Sequence, residues 1–193
     1  MTPYEKFSEE IASVKNYEKV YLFIKDKLTE VDSDDILRMQ LVFAVSFMDK
    51  YFHDLSILYF GKCLDNNSIP KKEILALQLK DVLSCIYSDD GKEILFALFK
   101  KRIMEFTFQM SNDISKISNF MGLDNIFRQI YGDNLEDNKK HLDIIVERRN
   151  QIVHEADYDC IALSKRRISS SEVSEAIIFI EDFIESYNKL ITF

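Results

Sequence analysis

The sequence has few residues that interrupt helices. It contains 4 glycines and 2 prolines among 193 residues, which predicts long helices with few tight turns. Charged residues such as Asp49 and Arg102 divide every apolar run before it reaches the length of a bilayer. The first residues lack the apolar core of a signal peptide. The 3 cysteines are an odd number without metal-site spacing. We therefore expect a reduced, cytoplasmic chain with no membrane partner.

The charge balance is acidic. The formal net charge of −8 disfavours broad, non-specific binding to nucleic acid, so any RNA contact must depend on a local basic patch. Apolar residues make up 47% of the chain and charged residues 30%, as in globular proteins. No linker, repeat, phosphate-binding glycine loop or metal-ligand spacing occurs. We expect one domain over residues 1–193, with no cofactor and no metal.

Hydrophobic periodicity favours an all-α fold. It predicts helices over residues 4–29, 34–60, 70–87, 92–110 and 139–156, with a less regular helical stretch to residue 130. A last helix follows Ser169, which with Glu172 has the spacing of a capping box. The predicted helix 34–60 is apolar on nearly all sides and is therefore expected at the centre. We expect an up-and-down bundle with additional helices, in which helix 139–156 packs against helix 34–60.

The most informative string lies near the end of helix 139–156. It reads Glu147-Arg148-Arg149-Asn150-Gln151-Ile152-Val153-His154-Glu155-Ala156-Asp157. At helical spacing Arg149 falls on the apolar stripe, where a cation must either extend its charged end to water or meet a carboxylate or an anion. Asn150 and His154 are one turn apart and share another face, which Glu147 also joins.

These residue types suit chemistry on a phosphodiester. His154 can transfer protons near neutral pH, Arg149 can hold a phosphate with its fork of donors, and Asn150 can orient either partner. One histidine cannot easily perform both proton transfers of such a reaction. The alternative interpretation is structural: an arginine and a histidine at a helix end can simply satisfy helix carbonyls and bridge to a neighbour.

The Arg-Asn-x3-His pattern and the longer string resemble the HEPN superfamily, and are most similar to its RiboL-PSP-HEPN branch. Residues 41–55, an apolar helix followed by Asp49, an aromatic pair and His53, resemble the same branch. The resemblance implies a helical domain with Arg149, Asn150 and His154 at a ribonuclease site shared across a homodimer. It also implies a toxin–antitoxin or antiviral defence setting, in which an antitoxin or regulatory protein restrains activity. Some similar domains bind ligands or partners without cutting RNA.

Two further groups are candidates for the site. Asp49 and His53 lie one turn apart; they either support the site, with Asp49 pairing with Arg149 or orienting a histidine, or belong to a solvent face. In a monomer, His53 is the alternative source of a second imidazole. The run Lys165-Arg166-Arg167 follows the motif helix and is a candidate RNA contact, although charged runs are commonly solvated.

Overall fold

The computed structural model describes residues 1–28, 32–68, 70, 78–159 and 161–192. Those ranges contain eight α-helices and one two-stranded antiparallel hairpin. The helices are α1 Pro3–Lys27, α2 Asp34–Asp65, α3 Leu79–Ile86, α4 Gly91–Ile103, α5 Ser111–Phe120, α6 Ile126–Tyr131, α7 Leu135–Glu155 and α8 Ser170–Lys189. A short 3-10 helix, Gly132–Asn134, precedes α7, and the hairpin strands are β1 Tyr158–Asp159 and β2 Ser164–Lys165. The all-α prediction is confirmed.

Helix α2 lies at the centre of the bundle. Its buried side chains face several directions, as expected for a helix that is apolar nearly all round. It packs against α1, α4, α5, α7 and α8. The expected packing of the motif helix, α7, against α2 is therefore confirmed. Arg38, near the start of α2, contacts Asp157, directly after α7, so the last turn of α7 lies beside the start of α2.

Capping boxes fix the starts of the two helices that flank the bundle core. Thr2 and Glu5 exchange side-chain and backbone hydrogen bonds at the start of α1. Ser169 and Glu172 do the same at the start of α8, which confirms the capping box predicted from the sequence. The second box places the start of α8 soon after the hairpin that follows the motif helix.

The structure corrects the ends of two predicted helices. Helix α2 continues to Asp65, and the predicted helix 92–110 ends at Ile103. The hairpin, which the periodicity did not predict, lies between α7 and α8. Of the predicted helix 70–87, the described part is helical over Leu79–Ile86, and residues 71–77 lie outside the described ranges. No helix in the described ranges is both long and apolar enough to cross a membrane.

Candidate functional site

The last turn of α7 presents the motif histidine to solvent. His154 is exposed, and Asn150, one turn earlier on the same face, is half-buried. Glu147 is exposed one further turn back. The helix ends at Ala156, which has the left-handed values φ 51° and ψ 27°. The predicted shared face of these three side chains follows from the observed helix, and it opens to solvent at the C-terminal end.

Arg149 lies beside this face and is half-buried. Its Nη1 donates to Oδ1 of Asn150 at 3.0 Å. Its Nε is buried and has no hydrogen-bond partner among the described residues. A buried donor without a partner costs free energy. Arg149 also has no carboxylate partner among the described residues, so its charge is not neutralised within that part of the chain. Arg149 and Asn150 therefore form a polar pair one turn from His154.

The neighbouring arginine, Arg148, has a different role. Its two terminal nitrogens donate to the two carboxylate oxygens of Asp157, with Nη2 and Oδ2 3.0 Å apart. Nε of Arg38, on α2, donates to Oδ2 of the same carboxylate at 2.6 Å. Asp157 is fully buried, and Arg38 is also buried. One carboxylate thus joins the end of α7 to α2 through two arginines.

The charges around Asp157 compensate one another. Burial acts to raise the pKa of Asp157, but the hydrogen bonds from Arg148 and Arg38 hold it below its ordinary value of 3.8. Burial likewise acts to lower the pKa of Arg38, and its contacts with Asp157 and Asp35 raise it instead. Both groups are therefore ionised near neutral pH. Arg38 Nη1 also lies 3.0 Å from Oδ1 of Asp35.

Asp49 and His53 occupy a different part of the bundle. Arg38 marks the level of α2 that contacts the end of α7, and Asp49 is 11 residues further along, or about 16 Å at the helical rise. Asp49 accepts from the backbone N–H of Phe108 at 2.6 Å and from Nε2 of Gln109 at 3.0 Å. Asp49 is therefore bonded to Phe108 and Gln109 rather than to Arg149, the partner suggested from the sequence.

His53 is buried rather than on a solvent face. Its Nε2 lies 3.6 Å from Oδ1 of Asp49, and its ring packs against Phe108 with centroids 4.8 Å apart. Nδ1 is buried without a hydrogen-bond partner among the described residues. Burial lowers the pKa of His53, although Asp49 acts to raise it. The solvent-face alternative is therefore corrected, and His53 lies far along α2 from the motif.

The candidate RNA-binding run is partly neutralised by the chain itself. Lys165 Nζ lies 2.7 Å from Oδ1 of Asp35, and Arg166 Nη2 lies 2.8 Å from Oε2 of Glu155. Arg167 is exposed and has no ion pair among the described residues. Its side chain borders a groove of about 270 Å³ between α7 and α8. Of the run, Arg167 is the cation that remains available to a ligand.

The sequence interpretation missed Arg38 and Asp157. Arg38 occurs early on an otherwise apolar helix, and that exception was the available signal. Asp157 closes the motif string, but its burial depends on the turn at Ala156. Cys160 lies outside the described ranges. Among the described residues, no three His, Cys, Asp or Glu side chains are grouped so that they could hold a metal ion.

The fold and the motif together define a helical bundle with an Arg-Asn-x3-His site at the end of one helix. The sequence profile of the RiboL-PSP-HEPN family matches residues 7–192, and the chain belongs to that family. The expected resemblance is thereby confirmed. No curated protein and no solved structure gives a significant match to the chain.

Proposed function

We propose that the protein is a metal-independent endoribonuclease whose site is formed by Arg149, Asn150 and His154. The observation that carries this proposal is the arrangement at the end of α7. An exposed imidazole lies one turn from an arginine–amide pair, and Nε of that arginine is buried without a partner among the described residues. Membership of the RiboL-PSP-HEPN family supports an RNase-type module.

The proposed reaction is transfer of the phosphoryl group to the adjacent 2′-oxygen. A base removes the 2′-hydroxyl proton, the oxygen attacks phosphorus, and the bond from phosphorus to the 5′-oxygen breaks. An acid protonates that leaving oxygen, which gives a 2′,3′-cyclic phosphate and a 5′-hydroxyl. Arg149 stabilises the charge on the phosphorane, and Asn150 holds Arg149 in place. His154 acts as base or acid.

A homodimer supplies the second imidazole in this proposal. His53 is buried along α2 and is a poor second shuttle, whereas a second His154 in a shared cleft fits the exposure of this turn. The chain around His154 also carries exposed apolar side chains, which monomeric surfaces seldom collect in one place. They are Val153, Tyr158, Ile161 and Leu163. We propose that these residues contribute to the dimer surface.

RNA is the proposed partner, with Arg167 as a phosphate contact near the site. A toxin–antitoxin or antiviral defence role, restrained by a second protein, and a cytoplasmic location also belong to this proposal. Expression of the wild-type chain in a bacterial host should then slow growth, and expression of the His154→Ala variant should not. Equal growth with both chains would contradict the toxin role but not the ribonuclease activity, which an RNA cleavage assay tests separately.

The second candidate is a module that binds a ligand or protein without cleaving RNA. The ion pairs of Lys165 and Arg166 favour it, because they reduce the positive charge available to a polyanion. Incubation of purified protein with total RNA in EDTA separates the two candidates. We expect cleavage with cyclic phosphate ends by wild type and none by His154→Ala. RNA left intact at all protein concentrations and pH values tested would favour the binding module.

A further inference from the structure

Asp157 is the point at which three parts of the structure meet. Its carboxylate receives Arg148 from α7 and Arg38 from α2. Its backbone carbonyl accepts from the N–H of Arg166 at 2.8 Å, beside strand β2. Its own N–H donates to the carbonyl of Gln151 at 3.1 Å. The helix end, the central helix and the hairpin are therefore all tied to one residue.

The two arginines extend the same connection. Arg38 Nη2 donates to the carbonyl of Arg166 at 3.0 Å, and Arg148 Nη2 lies 3.4 Å from the carbonyl of Arg167. The ion pairs connect three cations with three carboxylates, so the group carries no net charge. Its members are Lys165, Arg38, Arg148, Asp32, Asp35 and Asp157. Arg38 and Asp157 are its buried members, and the opposite charges beside each offset part of the cost of burying it. Asp32, Asp35 and Lys165 are exposed.

The position of His154 depends on this connection. His154 lies between Gln151 and Asp157, so the hydrogen bond between those two residues closes the short segment that carries it. Asp157 has a left-handed backbone with φ 61°, directly after left-handed Ala156. Consecutive left-handed residues other than glycine persist where side-chain contacts fix them. The carboxylate contacts of Asp157 supply that constraint here.

We infer that Asp157 is a positioning residue of the proposed ribonuclease site. It holds the last turn of α7 so that His154 reaches the scissile phosphate, and it occupies Arg148 so that Arg149 remains the cation for that phosphate. The inference rests on the proposed function. Precise placement matters because a displacement of about 1 Å in a reacting group can reduce the rate about 100-fold.

The test compares Asp157→Asn with Asp137→Asn, using a fluorogenic RNA oligonucleotide of random sequence. Asparagine has the same size and tolerates the left-handed backbone, but it cannot pair as an anion with two arginines. Asp137 is exposed in the first turn of α7 and provides the matched loss of one carboxylate from the same helix. Arg38→Gln is the second variant, since it removes the ion pair between α2 and Asp157 and keeps the Arg148–Asp157 pair.

For folded Asp157→Asn we expect kcat to fall about tenfold or more with KM within about twofold of wild type. Asp137→Asn should keep both constants. The chain has 3 histidines, so NMR of histidine-labelled protein resolves His154 individually. Its side-chain resonances should move in Asp157→Asn and stay in place in Asp137→Asn. A merely structural role would lower the unfolding temperature without changing kcat or the His154 resonances of the folded protein.

The outcomes separate the inference from the function. If wild type cleaves RNA and folded Asp157→Asn has wild-type kcat and unmoved His154 resonances, the positioning role is overturned and the ribonuclease stands. If wild type does not cleave, the ribonuclease fails, and the His154 resonances alone decide whether Asp157 holds that turn. If Asp157→Asn is unfolded, Arg38→Gln decides: a lower kcat with moved His154 resonances supports the role, and wild-type values of both overturn it.

Discussion

Nη1 of Arg149 donates to Oδ1 of Asn150, its neighbour in the chain, at 3.0 Å. Adjacent residues on a helix point about 100° apart, so this contact turns the guanidinium from the core-facing stripe towards the face that carries His154. The arginine that periodicity assigns to the apolar stripe is in this way redirected to a polar site. Arg148, one residue earlier, is directed instead to Asp157.

The first prediction concerns the imidazole of the motif. His154→Ala should abolish cleavage, because it removes the only imidazole on this turn. Its thermal unfolding temperature should stay close to that of wild type, since His154 is exposed and anchors no core contact. Cleavage rate and calorimetry measure the two effects, with His141→Ala as the control. A fully active His154→Ala protein would end the proposed mechanism.

The second prediction concerns Arg149. Arg149→Ala should reduce cleavage about 100-fold or more, because it removes the donor fork proposed for the phosphorane. Arg149→Lys should restore part of the activity, since a lysine keeps the charge but not the fork. Arg149→Ala should also unfold at a lower temperature, because Arg149 is half-buried and bonded to Asn150. Equal rates for wild type, Arg149→Lys and Arg149→Ala would remove Arg149 from the reaction.

The sequence predicts the helices because apolar periodicity is a local signal. It does not predict where helix 92–110 ends, because that end depends on a distant partner. The N–H of Phe108 donates to Asp49, which lies 59 residues away in the chain. Because another helix satisfies this backbone donor, Phe108 needs no helical partner and lies outside α4, which ends at Ile103. Nothing within that segment reveals Asp49 as its partner.

The residues of the candidate site follow from the sequence only in part, because some of its contacts depend on residues that are distant in the chain. The residues Arg149, Asn150 and His154 follow from their spacing on one helix, which any periodic helix preserves. The contact between Arg38 and Asp157 does not, because it requires the chain to reverse at two left-handed residues. Ala156 occupies the first of these, and alanine carries no sequence signal for a left-handed backbone as glycine does.

The third prediction concerns the basic run. Arg167→Ala should weaken RNA binding and make the slope of log affinity against log salt shallower by about one, the signature of one lost phosphate contact. Lys165→Ala should change binding less, because Lys165 is paired with Asp35. Replacing all three cations should weaken binding while the rate at saturating RNA stays nearly unchanged. Unaltered binding by the triple variant would exclude the run from the RNA path.

The fourth prediction concerns the dependence of stability on pH. Burial lowers the pKa of His53 in the folded chain below its ordinary value of 6.5. The unfolded chain therefore binds this proton first, and the free energy of unfolding should fall as the pH drops below about 6.5, by at most about 1.4 kcal/mol per pH unit. This stability is fully present above that pH.

Chemical denaturation across this pH range measures the effect. His53→Gln should flatten the decline, while His141→Gln, at an exposed position, should keep it. An identical decline in wild type and His53→Gln would assign the pH dependence to other titratable groups.

Asp49→Asn should destabilise the protein because it weakens the hydrogen bonds from Phe108 and Gln109, rather than through Arg149.

The last prediction concerns the proposed dimer. Because one exposed His154 serves one proton transfer at a time, full activity should require two chains. Ile161→Asp with Leu163→Asp places charges in the exposed apolar segment after His154, where the side chains are 91% and 81% exposed, and should produce a monomer with little cleavage. Ile178→Asp, at a half-exposed apolar position on α8, is the control and should remain dimeric and active. Sedimentation at micromolar concentration, combined with the cleavage rate, measures both effects. A wild-type monomer with full activity would refute the shared cleft, and the second imidazole would then have to come from this chain.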